Sequence, residues 1–165
     1  MSTLDSLQVN DEYYTKKETW EDILHYLDHT KVYIDPFYGD GGNINNLNEL
    51  GINCIGADLD YFDALDNLDY DIIITNSPFS RNILIEFLYN LSALDKPFII
   101  ILPITKIFSK YFKTSFRQYK HIQIIIPKSR LQFIDPTRPN NRSNPSFVCC
   151  YVCYKMDLPQ DILFL

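Results

Sequence analysis

Residues 32–42 read Val-Tyr-Ile-Asp-Pro-Phe-Tyr-Gly-Asp-Gly-Gly, an apolar run followed by a proline and three glycines. The apolar run 32–34 has the composition of a strand, which ends at Asp35-Pro36 because proline has no amide hydrogen for a strand ladder. A loop with three glycines follows, and then an apolar pattern at helical spacing that stops at Gly51. The order strand, loop, helix favours a fold in which strands and helices alternate.

The same alternation continues along the rest of the chain. The apolar runs predicted as strands are 32–34, 53–57, 71–75, 97–102, 122–126 and 147–154. The segments predicted as helices are 17–29, 44–50, 83–94 and, more weakly, 107–119. Runs that are continuously apolar are typical of a parallel sheet buried on both faces. We therefore predict one α/β domain of 165 residues, with a mostly parallel sheet, an antiparallel C-terminal strand and helices on both faces.

The composition is that of an ordinary globular protein, with 46% hydrophobic and 22% charged residues. The longest apolar run is too short to span a membrane, and the polar, acidic start is unlike a secretory signal. We therefore expect an intracellular protein, cytoplasmic or nuclear, without membrane association. We expect the four cysteines to pack in strands and predict no metal site, because a zinc site at Cys149, Cys150 and Cys153 would need a fourth ligand, and only Cys54 or one of three scattered histidines is available. We interpret His25 and His29, four positions apart on the first predicted helix, as residues of an exposed face.

Two segments at the ends of predicted strands indicate a nucleoside-type ligand. The glycines of the first loop let the backbone approach a ligand closely and place amide groups at the start of the next helix. Asp58 ends the second predicted strand, at a point where an acid commonly binds ribose hydroxyls. Only residues 59–75 separate Asp58 from Asn76, so one crossover of the fold must be abbreviated.

A third segment, residues 75–80, reads Thr-Asn-Ser-Pro-Phe-Ser and ends the third predicted strand. Residues 76–79 closely resemble the Asn-Pro-Pro-Phe/Tyr motif of amino-group methyltransferases that use S-adenosylmethionine. Residues 35–41, Asp-Pro-Phe-Tyr-Gly-Asp-Gly, resemble the cofactor motif of the adenine-N6 branch of these enzymes. The chain departs from the motif at Ser77, which stands where the first proline is usual.

The resemblance implies a specific chemistry for the motif. An exocyclic base amine is a poor nucleophile because its lone pair is delocalised into the ring. The Asn76 side-chain oxygen and the Ser77 carbonyl are implied to accept one N–H each, which frees the lone pair for attack on the methyl group. Pro78 keeps Ser77 extended, and Phe79 is implied to stack on the base once it is flipped out of the helix.

The resemblance extends, at patchy strength, to the phage-type DNA adenine-N6 methyltransferases over most of residues 11–154. Residues 11–16 are similar to an Asp-Glu-x-Tyr-Thr-Pro segment of that family, residues 129–133 to its Gly-Arg-Ile-Lys-Phe segment, and residues 144–147 to a Pro-Ser element. A class I, Rossmann-like methyltransferase with S-adenosylmethionine as cofactor is implied. The residues implied to bind the cofactor are Tyr14, Thr15, Asp35, Pro36, Phe37, Gly39, Asp58 and Asp63, the last chosen over Asp60 and Phe62.

The charge is divided along the chain in a way that its average of -6 conceals. Residues 106–142 hold nine basic residues and one acid, whereas residues 1–105 hold 18 acids and 5 bases. Such asymmetry favours nucleic acid as a partner, DNA over RNA, with a substrate-facing loop at 128–146. The residues expected to contact it are Lys106, Arg130, Arg138, Arg142 and Asn144.

Because the methyltransferase core uses nearly the whole chain, no separate target-recognition domain is expected. Specificity must come from the 128–146 loop, a second copy or a partner subunit. We also expect residues 1–12 to be flexible.

Within the same chemistry, the motif also serves RNA adenine, cytosine N4 and protein glutamine amines. From another class, the substitution at Ser77 leaves open a catalytically silent, nucleic-acid-binding subunit. Members of the family are often viral, which would place the protein in a host cell.

Overall fold

The computed structural model describes residues 13–57, 62–117, 121–136 and 147–165, without the side chains of 62–64. Several sequence-based predictions concern positions outside these described residues. They are the flexibility of residues 1–12 and the roles of Asp58, the Asp63 side chain, Arg138, Arg142 and Asn144.

Seven strands form one mixed sheet, and two further strands form a short pair beside it. In chain order the strands are β1 Tyr14–Thr15, β2 Val32–Asp35, β3 Asn53–Gly56, β4 Ile72–Asn76, β5 Phe98–Pro103, β6 Ile122–Ile126, β7 Phe133–Ile134, β8 Cys149–Tyr154 and β9 Ile162–Phe164. The large sheet has the order β3-β2-β4-β5-β8-β6-β9, and β1 pairs with β7. Only β8 runs antiparallel to its neighbours in the large sheet, and the other pairs are parallel.

Among the described residues, the strands are accompanied by five helices: α1 Lys17–Glu21, α2 Gly42–Glu49, α3 Arg81–Leu94, α4 Ile104–Ile107 and α5 Lys110–Phe116. The same residues include two short 3-10 turns, Leu24–Tyr26 and Phe62–Asn67. The apolar side chains of α1 and α2 pack on one face of the sheet, and those of α3 and α5 pack on the other. The prediction of a mostly parallel sheet with helices on both faces is therefore confirmed.

Strand β5 shows why the sequence dictates this layering. Phe98, Ile100 and Leu102 point into the core beneath α3 and α5, and Ile99 and Ile101 point into the core beneath α1 and α2. All five side chains are fully buried. A continuously apolar strand is stable only where both of its faces are covered, and burying each such side chain contributes roughly 1.5–3 kcal/mol.

The abbreviated crossover is also present. Strand β4 pairs directly with β2, and between β3 and β4 the described residues hold only the 3-10 turn Phe62–Asn67. Two helix predictions were wrong in detail. The helix expected at 17–29 is α1 followed by a 3-10 turn, because Ile23 leaves helical geometry with ψ near 6°. The helix expected at 107–119 is two helices, since the Ser109 hydroxyl caps a new start at Lys110.

The strands β1, β7 and β9 were not predicted. β9 runs parallel to β6, so the antiparallel strand near the C-terminus is β8 and not the last one. No helix in the described part of the chain is long and apolar enough to cross a membrane.

Candidate functional site

The carboxyl ends of β2 and β4 meet at one buried acid, Asp35. Its side chain is 1% exposed. Asp35 Oδ1 accepts hydrogen bonds from the Phe37 amide at 2.9 Å and from the Thr75 hydroxyl at 2.6 Å. Asp35 Oδ2 accepts from the Asn43 side-chain amide, whose oxygen in turn accepts from the Trp20 indole. One carboxyl group thus connects the glycine loop, the motif strand and α2.

Burial raises the pKa of Asp35 to about 6, against the hydrogen bonds from Thr75, Asn43 and Phe37, which lower it. The hydrogen bonds from these three donors make the Asp35 carboxyl group a structural link between the loop, β4 and α2. The predicted direct contact of Asp35 with a cofactor stays a prediction.

The loop after β2 presents backbone rather than side chains. Gly39 and Gly41 have positive φ angles of 54° and 79°, which favour glycine. A Cβ at Gly39 would find no atom nearer than the Tyr14 ring at 3.8 Å, so a ligand can approach the backbone there. Pro36 is buried and Phe37 half-buried beneath the loop, and the Phe37 ring packs edge-on against Phe87 of α3 at 4.9 Å.

The start of the described chain lies across this edge of the sheet. In strand β1, Tyr14 pairs with Ile134 and Thr15 with Phe133. The carbonyl of Thr15, a buried residue, accepts from the side-chain amide of Asn46 on α2 at 3.1 Å. The predicted cofactor residues Tyr14 and Thr15 are therefore brought to the glycine loop, although they are remote from it in the sequence.

Asn76, the last residue of β4, has a side chain held in one orientation. Its Nδ2 donates to the Tyr13 carbonyl oxygen at 2.8 Å. A flipped amide would set two oxygen atoms against each other, so the amide nitrogen must face Tyr13. The opposite atom, Oδ1, is buried and has no hydrogen-bond partner among the described residues. Leaving a buried amide oxygen without a partner costs about 1–3 kcal/mol. This atom is therefore available to accept from a donor that arrives with a ligand.

Four aromatic rings surround the turn that follows Asn76. Phe79 packs edge-on against Phe147 at 4.7 Å between ring centroids and lies nearly parallel to Tyr13 at 6.4 Å. Phe133 meets Phe79 at 6.3 Å. These four residues, named here the aromatic cluster, come from β7 and from the segments before β1, after β4 and before β8. Phe79 of the motif therefore lies close to one described residue from each of the segments 11–16, 129–133 and 144–147.

The two remaining motif residues are buried. The Ser77 side chain, 2% exposed, donates through Oγ to the Ile101 carbonyl oxygen of β5 at 3.0 Å, and Pro78 is buried beside it. The Ser77 hydroxyl thus fixes the turn to the neighbouring strand at the position where proline is usual.

Two of the five residues predicted to contact nucleic acid lie in the described part of the chain. Arg130 is exposed and donates to the Phe147 carbonyl oxygen at 3.1 Å. Lys106 is half-buried on α4, directly after β5. The other three, Arg138, Arg142 and Asn144, lie outside the described residues.

Sequence reasoning missed the supporting residues of this site. Asn43 and Trp20 have no motif of their own, and the ring of Tyr13 was passed over in favour of Tyr14. Thr75 was quoted only as the residue before Asn76. Phe133 and Phe147 stood in the quoted segments but received no role. A usable signal was that Phe133 and Phe147 each end a segment of the resemblance.

The cysteines behave as packing residues. All four are buried and free, and burial raises the pKa of Cys149 and of Cys150 to about 12. Across the described ranges no three His, Cys, Asp or Glu side chains are grouped as metal ligands would be. No protein-family model matches the chain, and no curated protein matches it.

Proposed function

We propose that the protein transfers a methyl group from S-adenosylmethionine to the exocyclic N6 amine of adenine in DNA, on a Rossmann-like methyltransferase fold. The observation that carries the proposal is the Asn76 side chain. Its Oδ1 is buried, lacks a partner among the described residues and belongs to an amide whose orientation is set by Tyr13. An acceptor held in this way suits a donor that arrives with the substrate.

An adenine amine offers two N–H groups. In the proposal one is accepted by Asn76 Oδ1 and the other by the Ser77 carbonyl, which lie on consecutive residues. The nitrogen lone pair then forms the new N–CH₃ bond while the S–CH₃ bond of the donor breaks, and the sulfur keeps the bonding pair as a neutral thioether. The cationic nitrogen loses its proton to solvent afterwards, so no general base is required.

The aromatic cluster supports the choice of a planar base. Phe79 follows the acceptor pair by two residues and is half-buried, with Tyr13 and Phe147 against its ring. Aromatic side chains that stack on an extruded base are the usual means of holding it.

The residues around the glycine loop fit S-adenosylmethionine. The backbone at Gly39 is approachable, and Tyr14 lies beside it. Asp35 bonds both the loop, through the Phe37 amide, and β4, through Thr75, so it fixes the donor side relative to Asn76. Such bracing matters because methyl transfer requires donor and acceptor to be aligned.

Nucleic acid as the partner is supported by the basic residues of the second half of the chain. Arg130 bonds the backbone of Phe147 in the aromatic cluster, and Lys106 lies on α4, which directly follows β5. A protein that modifies DNA acts in the cytoplasm or the nucleus, which agrees with the proposed intracellular location. Specificity from a second copy or a partner subunit remains part of the proposal.

The deciding experiment incubates the purified protein with S-adenosylmethionine labelled in the methyl group and with unmethylated DNA or RNA in parallel, and then digests the products to nucleosides. We expect label in N6-methyldeoxyadenosine. Asn76→Ala should lower the rate by about 100-fold or more, as removal of one such contact does in other enzymes. The matched control Asn45→Ala, at an exposed position of α2, should leave the rate unchanged.

Other outcomes would change the conclusion. Label in RNA adenosine or in N4-methylcytosine would move the proposal to those amines. No label in either polymer, with no binding of S-adenosylmethionine at millimolar concentration in a calorimeter, would favour the silent nucleic-acid-binding subunit.

A further inference from the structure

Three exposed apolar side chains lie on two segments that a backbone hydrogen bond joins next to the aromatic cluster. Ile104 is 37% exposed, Phe108 71% and Val148 49%. Ile104 and Phe108 are four residues apart across α4 and its last turn, so they share one helix face. The Ile104 amide donates to the Val148 carbonyl oxygen at 2.8 Å. These three residues are named here the apolar ridge.

The ridge lies next to the proposed site. Val148 directly follows Phe147, whose ring packs against Phe79 at 4.7 Å. Ile104 directly follows β5, the strand in which Ile101 is the register partner of Asn76. Both segments of the ridge are thus close along the chain to residues that contact the site.

The surroundings of the ridge are basic. Residues 104–117 contain Lys106, Lys110, Lys113 and Arg117 and no acid, and Lys110, Lys113 and Arg117 are exposed. Arg130 bonds the carbonyl oxygen of Phe147, the residue before Val148. Lysine is depleted at protein–protein interfaces, whereas a basic border with an exposed aromatic side chain suits a polyanion with stacked bases.

We propose that the apolar ridge is a wedge, in which Phe108 enters the base stack of duplex DNA next to the extruded nucleotide and Ile104 and Val148 pack behind it. The inference rests on the proposed function for its substrate, duplex DNA. Extrusion of a base leaves an apolar gap in the stack, and an apolar side chain that fills the gap stabilises the opened duplex.

The test compares binding of the full chain to two short duplexes of the same sequence, one intact and one with a single abasic site, by fluorescence anisotropy. The variants are Phe108→Ala and the matched control Phe164→Ala. Phe164 is 73% exposed, on the edge strand β9. The wild type and Phe164→Ala should prefer the abasic duplex by about tenfold, the size expected from stacking, because the gap already exists there. Phe108→Ala should lose this preference.

Three results would overturn the wedge. The wild type could show no preference for the abasic duplex, or Phe108→Ala could retain the preference at wild-type affinity. Phe108→Ala could also bind both duplexes more weakly by the same factor, which would indicate an ordinary surface contact. Binding of the wild type to phosphatidylserine vesicles that Phe108→Ala abolishes, with DNA binding unchanged, would reassign the ridge to a membrane surface and also overturn it.

Methyl transfer with labelled S-adenosylmethionine is measured separately on the same proteins. A wild type that shows the Phe108-dependent preference and transfers no methyl group contradicts the proposed function and leaves the wedge supported. A wild type that transfers methyl groups without that preference supports the proposed function and contradicts the wedge.

Discussion

The side-chain amide of Asn76 donates to the backbone carbonyl of Tyr13 across 2.8 Å, and the two residues are 63 positions apart in the chain. The bond gives the segment before β1 a role at the motif, because it turns Asn76 Oδ1 away from Tyr13. The same segment contributes the Tyr13 ring to the aromatic cluster. The acceptor and one wall of the proposed base site are thus held by one stretch of chain.

The first prediction concerns Asn76→Asp. The substitution keeps the shape and one acceptor oxygen but replaces the donor to Tyr13 by a second oxygen, which repels the Tyr13 carbonyl. We expect methyl transfer to fall about as far as in Asn76→Ala, and the amides of β1 to exchange hydrogen faster, since the Tyr13 contact is lost. Hydrogen exchange followed by mass spectrometry measures the second effect. Retention of wild-type transfer and protection would show that the donor to Tyr13 is dispensable.

The second prediction concerns Ser77→Ala, which should lower the stability of the protein and leave methyl transfer nearly unchanged. The hydroxyl bonds Ile101 within the protein, whereas the proposed contact with substrate uses the Ser77 carbonyl, which the variant keeps. We expect the free energy of unfolding to fall by about 1 kcal/mol and the rate of methyl transfer to stay within a few-fold of wild type. Urea denaturation and the labelled-methyl assay give the two numbers. A loss of transfer comparable to that of Asn76→Ala, without unfolding, would mean that the hydroxyl itself takes part.

The sequence predicted the layering of this fold because its strands are buried on both faces. In β5 every position is apolar, and such a strand has few alternatives. It could not predict β1, β7 and β9, since two- and three-residue strands have too few side chains to show a period. Their pairing depends on the backbone of distant segments, as in the partnership of Thr15 with Phe133.

The candidate site was likewise predicted only in part. Asn76, Phe79 and Gly39 were found because each belongs to a local motif. Asn43 was not found, because its role is to connect Trp20 with Asp35, and a connection between residues from separate elements exists only after folding. The buried acid itself was found, but its three donors come from a loop, a strand and a helix, and no spacing in the sequence indicates that convergence.

The aromatic cluster leads to a third prediction. Phe79→Leu keeps an apolar side chain of similar volume and removes the flat face proposed to stack on the base. We expect kcat/KM for DNA to fall about tenfold or more, chiefly through KM. Phe164→Leu, the same change on the outer strand β9, should leave both constants unchanged. Equal kinetics for wild type and Phe79→Leu would remove base stacking from the role of Phe79.

A fourth prediction addresses the basic residues near the site. Binding to duplex DNA should weaken as salt rises, and Lys106→Ala and Arg130→Ala should each lower the slope of log K against log salt by about one unit, the effect of one lost phosphate contact. Lys31→Ala is the control, since Lys31 is exposed and precedes β2 at the opposite edge of the sheet. A slope that is the same in all four proteins would remove Lys106 and Arg130 from the contact surface.

The last prediction follows from the buried carboxyl of Asp35. Its folded-state pKa is raised from 3.8 to about 6 by burial, so the folded protein holds this proton more tightly than the unfolded chain does. The stability contributed by the neutral form is fully present below pH 3.8 and is lost as pH rises through about 6. For a fully buried group, a shift of this size corresponds to about 3 kcal/mol.

The side chain of the Asp35→Asn variant cannot ionise, so the variant should not lose stability as pH rises. The substitution does, however, place one hydrogen-bond donor against another. Asp35 Oδ2 accepts from the Asn43 amide, and an asparagine nitrogen in that place would set donor against donor, at a cost of about 1–3 kcal/mol. We therefore expect wild type to be the more stable protein near pH 4 and its advantage to shrink, or reverse, by pH 7. Urea unfolding of both proteins across this range measures the difference. Asp28 and Asp95, whose pKa values are lowered by their hydrogen-bond partners, are present in both proteins and cancel. A difference that does not change with pH would show that the Asp35 carboxyl is ionised throughout, and that its three donors outweigh its burial.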